Sequence, residues 1–138
     1  MIRASSLVVM VALFSLPGCG GGGKPSDKDQ IETALTSYYK AFGKGDSAAA
    51  CKELAAGTKE ELEKAGGGKD CAEILDQALK RPDYAKVAPK LGTVQVSAVT
   101  IAGDKATARA TVPGVGKPTV VPLKKEGGSW KIASPVGE

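Results

Sequence analysis

The opening 23 residues decide how much of the chain is left to fold. The amine of Met1 and Arg3 place positive charge at the start. Residues 7–16 form an apolar run interrupted only by Ser15, and Pro17 and Gly18 then lead into Cys19 and four consecutive glycines. A charged start, a short apolar segment and small residues at a cleavage point make up a secretory signal. The run is too short to span a bilayer, which takes about 20 apolar residues. Pro17 and Gly18 stop any helix before Cys19 and present extended backbone to a peptidase. No second long apolar run occurs in the sequence, which excludes a stop-transfer segment within it.

Leu16, Gly18 and Cys19 resemble the bacterial lipobox, with Pro17 standing where Ala, Ser or Thr is usual. The resemblance implies that residues 1–18 are removed as a lipoprotein signal peptide and that Cys19 receives a diacylglycerol thioether. Acylation of the new amine, with palmitate as a typical chain, often follows. One chain alone holds a protein only marginally, so two or three are required for a stable anchor. The protein would then sit on the extracytoplasmic face of the cell membrane. An ordinary secretory signal with an incidental Cys is the competing reading. Residues 19–26 comprise the lipidated Cys and a Gly-rich tether, and seven such tether residues reach roughly 15 Å.

Removal of the signal leaves about 110 to 120 residues, enough for one modest core. The net charge of the whole chain is +4, and the surplus is spread along it rather than clustered as a nucleic-acid footprint. With Cys19 assigned to lipid, Cys51 and Cys71 remain as a pair, expected to oxidise outside the cytoplasm. Two free buried thiols are the alternative. The chain contains no His, which removes Cys–His nucleophiles and the usual mixed zinc sites. Neither glycine run, residues 20–23 or 66–68, is followed by the Lys and Ser or Thr of a phosphate loop. No catalytic residue, metal or cofactor is therefore expected.

Five stretches read as helical or connecting. Ser26 or Asp27 caps a first helix, Gln30 completes a capping box with Asp27, and Gly43 or Gly45 ends it. Ile31, Ala34, Leu35, Tyr38 and Phe42 recur at helical spacing as its apolar face. Asp46 caps a second helix that buries Ala49, Ala50, Cys51 and Leu54 and stops at Gly57. Thr58 and Glu61 form a capping box before a short helix carrying Leu62. Residues 66–68 break the chain, and Asp70 with Glu73 opens the helix of Cys71, Ile74, Leu75, Ala78 and Leu79, ending near Pro82. A Cys51–Cys71 bond would clamp two of these helices together. Residues 84–92 read as an irregular connection with at most one helical turn.

From Thr93 the apolar period shortens to that of strands. Val94, Val96 and Ala98 alternate, then Val99 and Ile101 continue in the opposite phase, which predicts a bulge over residues 97–99. Gly103 and Asp104 form a hairpin turn. Ala106, Ala108, Ala110 and Val112 face one way, and Thr107, Arg109 and Thr111 the other. Residues 113–118 read as a loop and 119–125 as a third strand, in which Pro122 demands an edge or a kink. The last strand covers residues 129–133 and presents Trp130 and Ile132 on one face.

The fold class is thus α+β: N-terminal helices packed on a bent antiparallel four-stranded meander. The helix with Tyr38, Tyr39 and Phe42 running into Gly45 and Asp46, the hairpin at Gly103 and Asp104, and the ending Val121, Pro122, Leu123 through Gly128, Ser129, Trp130, Lys131, Ile132 resemble the nuclear transport factor 2-like, or cystatin-like, cone fold. The resembling domain covers residues 27–134, with 135–138 as a C-terminal tail. The placing of Cys51 and Cys71 is also similar to that in small lipoproteins of high-GC Gram-positive bacteria. The resemblance implies a curved sheet around the first helix and a pocket approached by Tyr38, Tyr39, Phe42, Arg109 and Trp130.

Enzymes on that cone, such as steroid isomerases and scytalone dehydratase, use Asp, Tyr or His on the pocket wall. Here the strands carry Asp and Glu only at their turns, which leaves the phenols of Tyr38, Tyr39 and Tyr84 as proton-transfer groups. The expectation is a lipid-anchored, non-enzymatic envelope domain that binds a small apolar ligand or an envelope protein. An isomerase- or dehydratase-type enzyme and a purely structural component are the alternatives. The oligomeric state is not legible.

Overall fold

The computed structural model describes residues 24–133. The expected signal peptide, Cys19 and the start of the expected tether fall in residues 1–23, and the expected C-terminal tail in 134–138, all outside the described residues. Helices α1 (Asp27–Gly43), α2 (Ser47–Lys52), α3 (Ala56–Ala65), α4 (Cys71–Leu79) and α5 (Pro82–Leu91) precede strands β1 (Gln95–Ala102), β2 (Lys105–Val112), β3 (Val115–Glu126) and β4 (Ser129–Ile132). The strands form one antiparallel meander in the order β1-β2-β3-β4, open rather than closed into a barrel.

Helix α1 forms where its apolar period places it. Ile31, Ala34, Leu35, Tyr38, Tyr39 and Phe42 are all buried on one face. Its capping box, however, pairs Ser26 with Asp29, and the Gln30 side chain donates instead to the Pro25 carbonyl. Asp29 is the third helical residue after a Ser26 cap, so the shift follows from which residue caps. Gly45, with φ +80°, turns the chain into α2, whose cap is the Asp46 carboxylate.

Helix α2 ends at Lys52, before Gly57, and Gly57 and Thr58 lie inside α3. The cause is tertiary. The Ala55 N–H donates to the Ile132 carbonyl at 2.8 Å, and the Ile132 N–H donates to the Glu53 carbonyl at 2.8 Å. Thr58 is buried and spends its hydroxyl on the same Ile132 carbonyl, so it does not cap. The first N–H of α3, that of Ala56, is satisfied by the Glu126 carboxylate from the far end of β3. This stretch thereby covers the free side of β4, which would otherwise expose unpaired backbone.

Cys51 and Cys71 form a disulfide with Cα atoms 6.1 Å apart, joining α2 to the first residue of α4. The buried Ser47 hydroxyl, donating to Asp76, ties the same two helices. Asp70 caps α4 by accepting from the Glu73 N–H.

Residues 84–92, expected to be an irregular connection, are helical as far as Leu91, within the ten-residue helix α5. Pro82 occupies the first turn, where its missing N–H costs nothing. Pro89 forfeits one bond near the exposed C-terminal end. Tyr84, Val87 and Leu91 recur at helical spacing; Leu91 is in the core and Tyr84 packs against it, which outweighs that loss.

In the sheet, β1 changes register against β2 between Ser97 and Thr100, and Ala98 there has φ +51°. The bulge turns both Val96 and Val99 toward the core. Strand β3 begins at Val115, so the loop before it shrinks to Pro113 and Gly114. Val112 pairs with Val115 and Ala110 with Thr119, and the extra residues of β3 bulge out around Pro118. Pro122 is not on an edge strand: Thr107 pairs with it on one side, and its carbonyl accepts from Ala133 on the other. β4 pairs only with residues 123–126, so the N–H that Pro122 lacks falls where β4 gives out.

The core lies between α1 and the inner sheet face. Ile31, Leu35, Leu54, Val121, Leu123 and Ile132 are its most enclosed large side chains.

Candidate functional site

A cavity of about 150 Å³ opens between α1, α5 and the β2–β3 half of the sheet. Tyr38, Tyr39 and Phe42 enter from α1, and Tyr84, Val87 and Leu91 from α5. Ala110 and Val112 of β2 and Val115 of β3 complete the apolar wall, with Lys117 and Thr119 as the polar residues from β3. Apolar space of this size accepts a guest of about one benzene ring.

The aromatic side chains form a connected series. Tyr38 meets Tyr39 edge-on at 5.6 Å between ring centroids and stacks on Phe42 at 5.9 Å, one helical turn away. Phe42 meets Tyr84 of α5 edge-on at 5.9 Å, and the Arg81 guanidinium lies 5.5 Å over the Tyr84 ring. Edge-to-face pairs of this kind add roughly 0.5–1.5 kcal/mol each beyond area burial. The α1–α5 contact is close because Gly43 has no side chain: a Cβ there would stand 2.6 Å from the Ala88 carbonyl oxygen.

Tyr38 and Tyr39 are 3% and 7% exposed, and among the described residues neither hydroxyl hydrogen-bonds to another protein group. Burial drives the Tyr38 phenol well above the usual range, with a smaller push from Tyr39 and Tyr84 beside it. Burial alone raises Tyr39. Both phenols therefore keep their protons at neutral pH and act as donors rather than bases. No carboxylate lines the cavity, which leaves the two phenols, Tyr84 and the Lys117 amine as its ionisable groups.

Of the residues expected to approach a pocket, the structure brings together Tyr38, Tyr39 and Phe42. Arg109 is exposed and pairs with Val120 on the outer sheet face, away from the lining. Its position in β2 alternates with the inward Ala108 and Ala110, and that alternation decides the matter. Trp130 is buried at a different place. Its indole N–H donates to the Asp27 carboxylate at 2.9 Å, which also accepts from Lys125 at 2.9 Å. The Lys125 hydrogen bond, then that of Trp130, holds the Asp27 carboxyl below its ordinary range. Trp130 also borders a separate groove with Glu53, whose carboxyl is raised by burial against the pull of Lys131.

The contributions of Val87, Leu91, Val115, Lys117 and Thr119 were not anticipated from the sequence. The spacing of Tyr84, Val87 and Leu91 carries the α5 face, but two prolines mask it. Nothing local marks Lys117. Among the described residues no cluster of His, Cys, Asp and Glu is disposed to hold a metal ion, and no helix is long and apolar enough to cross a membrane. No protein-family model, curated protein or solved structure matches the chain.

Proposed function

We propose that the protein is an envelope lipoprotein, anchored through diacylglycerol on Cys19, whose non-enzymatic domain binds a small, largely apolar ligand on a cone of nuclear transport factor 2-like type. The observation that carries this reading is a largely apolar cavity lined by the Tyr38 and Tyr39 side chains, whose hydroxyls bond no other protein group among the described residues and stay open to the cavity. Such a site takes a ring-sized body bearing one hydrogen-bond acceptor, which replaces water on a phenol donor as the ring covers the apolar wall. Helices packed on a bent meander support the cone. The lipobox residues support the anchor. Recognition of an envelope protein would use the domain surface instead, and an isomerase or dehydratase would have to draw its base from Lys117 or the tyrosines, since no carboxylate lines the wall.

The test has two independent arms. Thermal unfolding with millimolar phenol or benzoate as probes should rise for the parent protein, by mass action on the folded state. Tyr38→Phe should leave the unliganded midpoint within about 1 kcal/mol of the parent, the range of an unpaired hydroxyl, and abolish most of the shift. No shift with either probe, together with no small molecule co-purifying in native mass spectrometry, refutes the ligand. For the anchor, intact mass of membrane-extracted protein should show cleavage before Cys19 plus acyl mass. An uncleaved or unacylated chain refutes it.

A further inference from the structure

The outer face of the sheet is basic by register. Lys105 of β2 pairs with Lys124 of β3, and Lys124 pairs with Lys131 of β4, so three lysine positions share one row across three adjacent strands. Arg109 lies on the same face of β2, opposite Val120. Like charges directly opposite one another in a sheet are destabilising. None of these four cations forms an ion pair among the described residues, whose ion pairs are Lys28–Glu32, Arg81–Asp83 and Lys125–Asp27. The Lys131 ammonium turns off the face to donate to the Lys52 carbonyl of α2, beside the Glu53 carboxyl, which leaves Lys105, Lys124 and Arg109 as the cations of the outer face. The acid on this face, Glu126, is engaged with the Ala56 N–H. Val120, 61% exposed, adds an apolar side chain to the same face opposite Arg109, four residues along β3 from Lys124.

The start of the domain lies close to this row. The Asp27 carboxylate is held by Lys125 and Trp130, which sit next to Lys124 and Lys131 in the chain and face the helix side of the sheet, so the chain start is level with the row but on the opposite face. The tether thus leaves the domain beside the β3–β4 hairpin, and seven residues of it reach roughly 15 Å.

We infer that the outer sheet face, through Lys105, Lys124 and Arg109, docks on an anionic lipid bilayer and orients the domain with its helices away from the membrane. This rests on the anchored reading of Cys19 for its geometry. Each lysine brought to an anionic membrane surface gains about fivefold in partitioning, and the gain is screened by salt. Lys105 and Lys124 at one end of the face and Arg109 beside the exposed Val120 farther along it match a headgroup layer, in which charge is met at the surface and a short apolar side chain enters it.

The test uses full-length, membrane-extracted protein reconstituted into vesicles of phosphatidylcholine alone or with phosphatidylglycerol, followed by amine-reactive labelling read residue by residue. Lys105 and Lys124 should label about fivefold or more slowly on phosphatidylglycerol vesicles, while Lys59 and Lys64 of α3 label equally on both. Raising the salt should restore the rates. Equal labelling of Lys105 and Lys124 on the two vesicles overturns the inference. So does protection by soluble polyphosphate without protection by vesicles, which would assign the face to an anionic polymer. Retention of the chain on phosphatidylcholine vesicles reports the anchor separately, and its loss would refute the lipid on Cys19 while leaving the labelling contrast to judge the basic face.

Discussion

Removing the Cys51–Cys71 bond should weaken the whole domain by a calculable amount. The two residues are 20 apart in sequence, and cross-linking a loop of that length restricts the unfolded chain by about 3 kcal/mol at 25 °C. Across residues 24–133, unfolding entropy of about 2.1 cal/mol/K per residue makes each kcal/mol worth about 4 °C. Cys51→Ala with Cys71→Ala should therefore lower the midpoint by roughly 12 °C. The denaturant slope should rise as well, because the uncrosslinked chain exposes more surface when unfolded. Loss should begin at α2, since a helix of six residues does not persist without tertiary support. Thermal and urea unfolding by far-UV circular dichroism, on oxidised parent and double variant, provides the measurement. Midpoints within about 3 °C of each other, with equal denaturant slopes, would show that the helical half is held by packing and the Ser47–Asp76 contact rather than by the crosslink.

Asp27→Asn should destabilise the domain at neutral pH and flatten its acid limb. The carboxyl is lowered in the folded state, so its contribution is present above the unfolded carboxyl value, about 3.9, and is lost as pH falls through the folded one. A midpoint-against-pH curve with the same acid slope in parent and variant would contradict this. Gly43→Ala should cost about 1–3 kcal/mol, the range for overpacking, because the new Cβ meets backbone oxygen of Ala88 that cannot rotate away. Urea titration measures it, and an unchanged midpoint would mean that α5 shifts freely against α1.

The elements that were legible are those whose cause is local. The apolar face of α1, the Asp46 and Asp70 caps, the bulge near Ala98 and the inward alternation of β2 all follow from residues a few positions apart. The candidate site was legible where α1 supplies it, through Tyr38, Tyr39 and Phe42 on a helical face. Where the reading went astray, a distant group had intervened. Glu126 reaches across 70 positions to start α3, Ile132 takes the hydroxyl of Thr58, and core contacts hold α5 as a helix despite its prolines. Arg109 and Trp130 were assigned to a pocket by resemblance, and strand parity and an indole bond to Asp27 sent them elsewhere.

The amino-acid order by itself determined the α+β class, most element positions and the two cysteines left to pair, because period and capping act over one or two turns of backbone. Only the tertiary structure decided where a cavity forms, which phenols face it and which cations share a row. Those depend on how α1, α5 and the strands meet, and on the register of β2, β3 and β4, which no local stretch encodes.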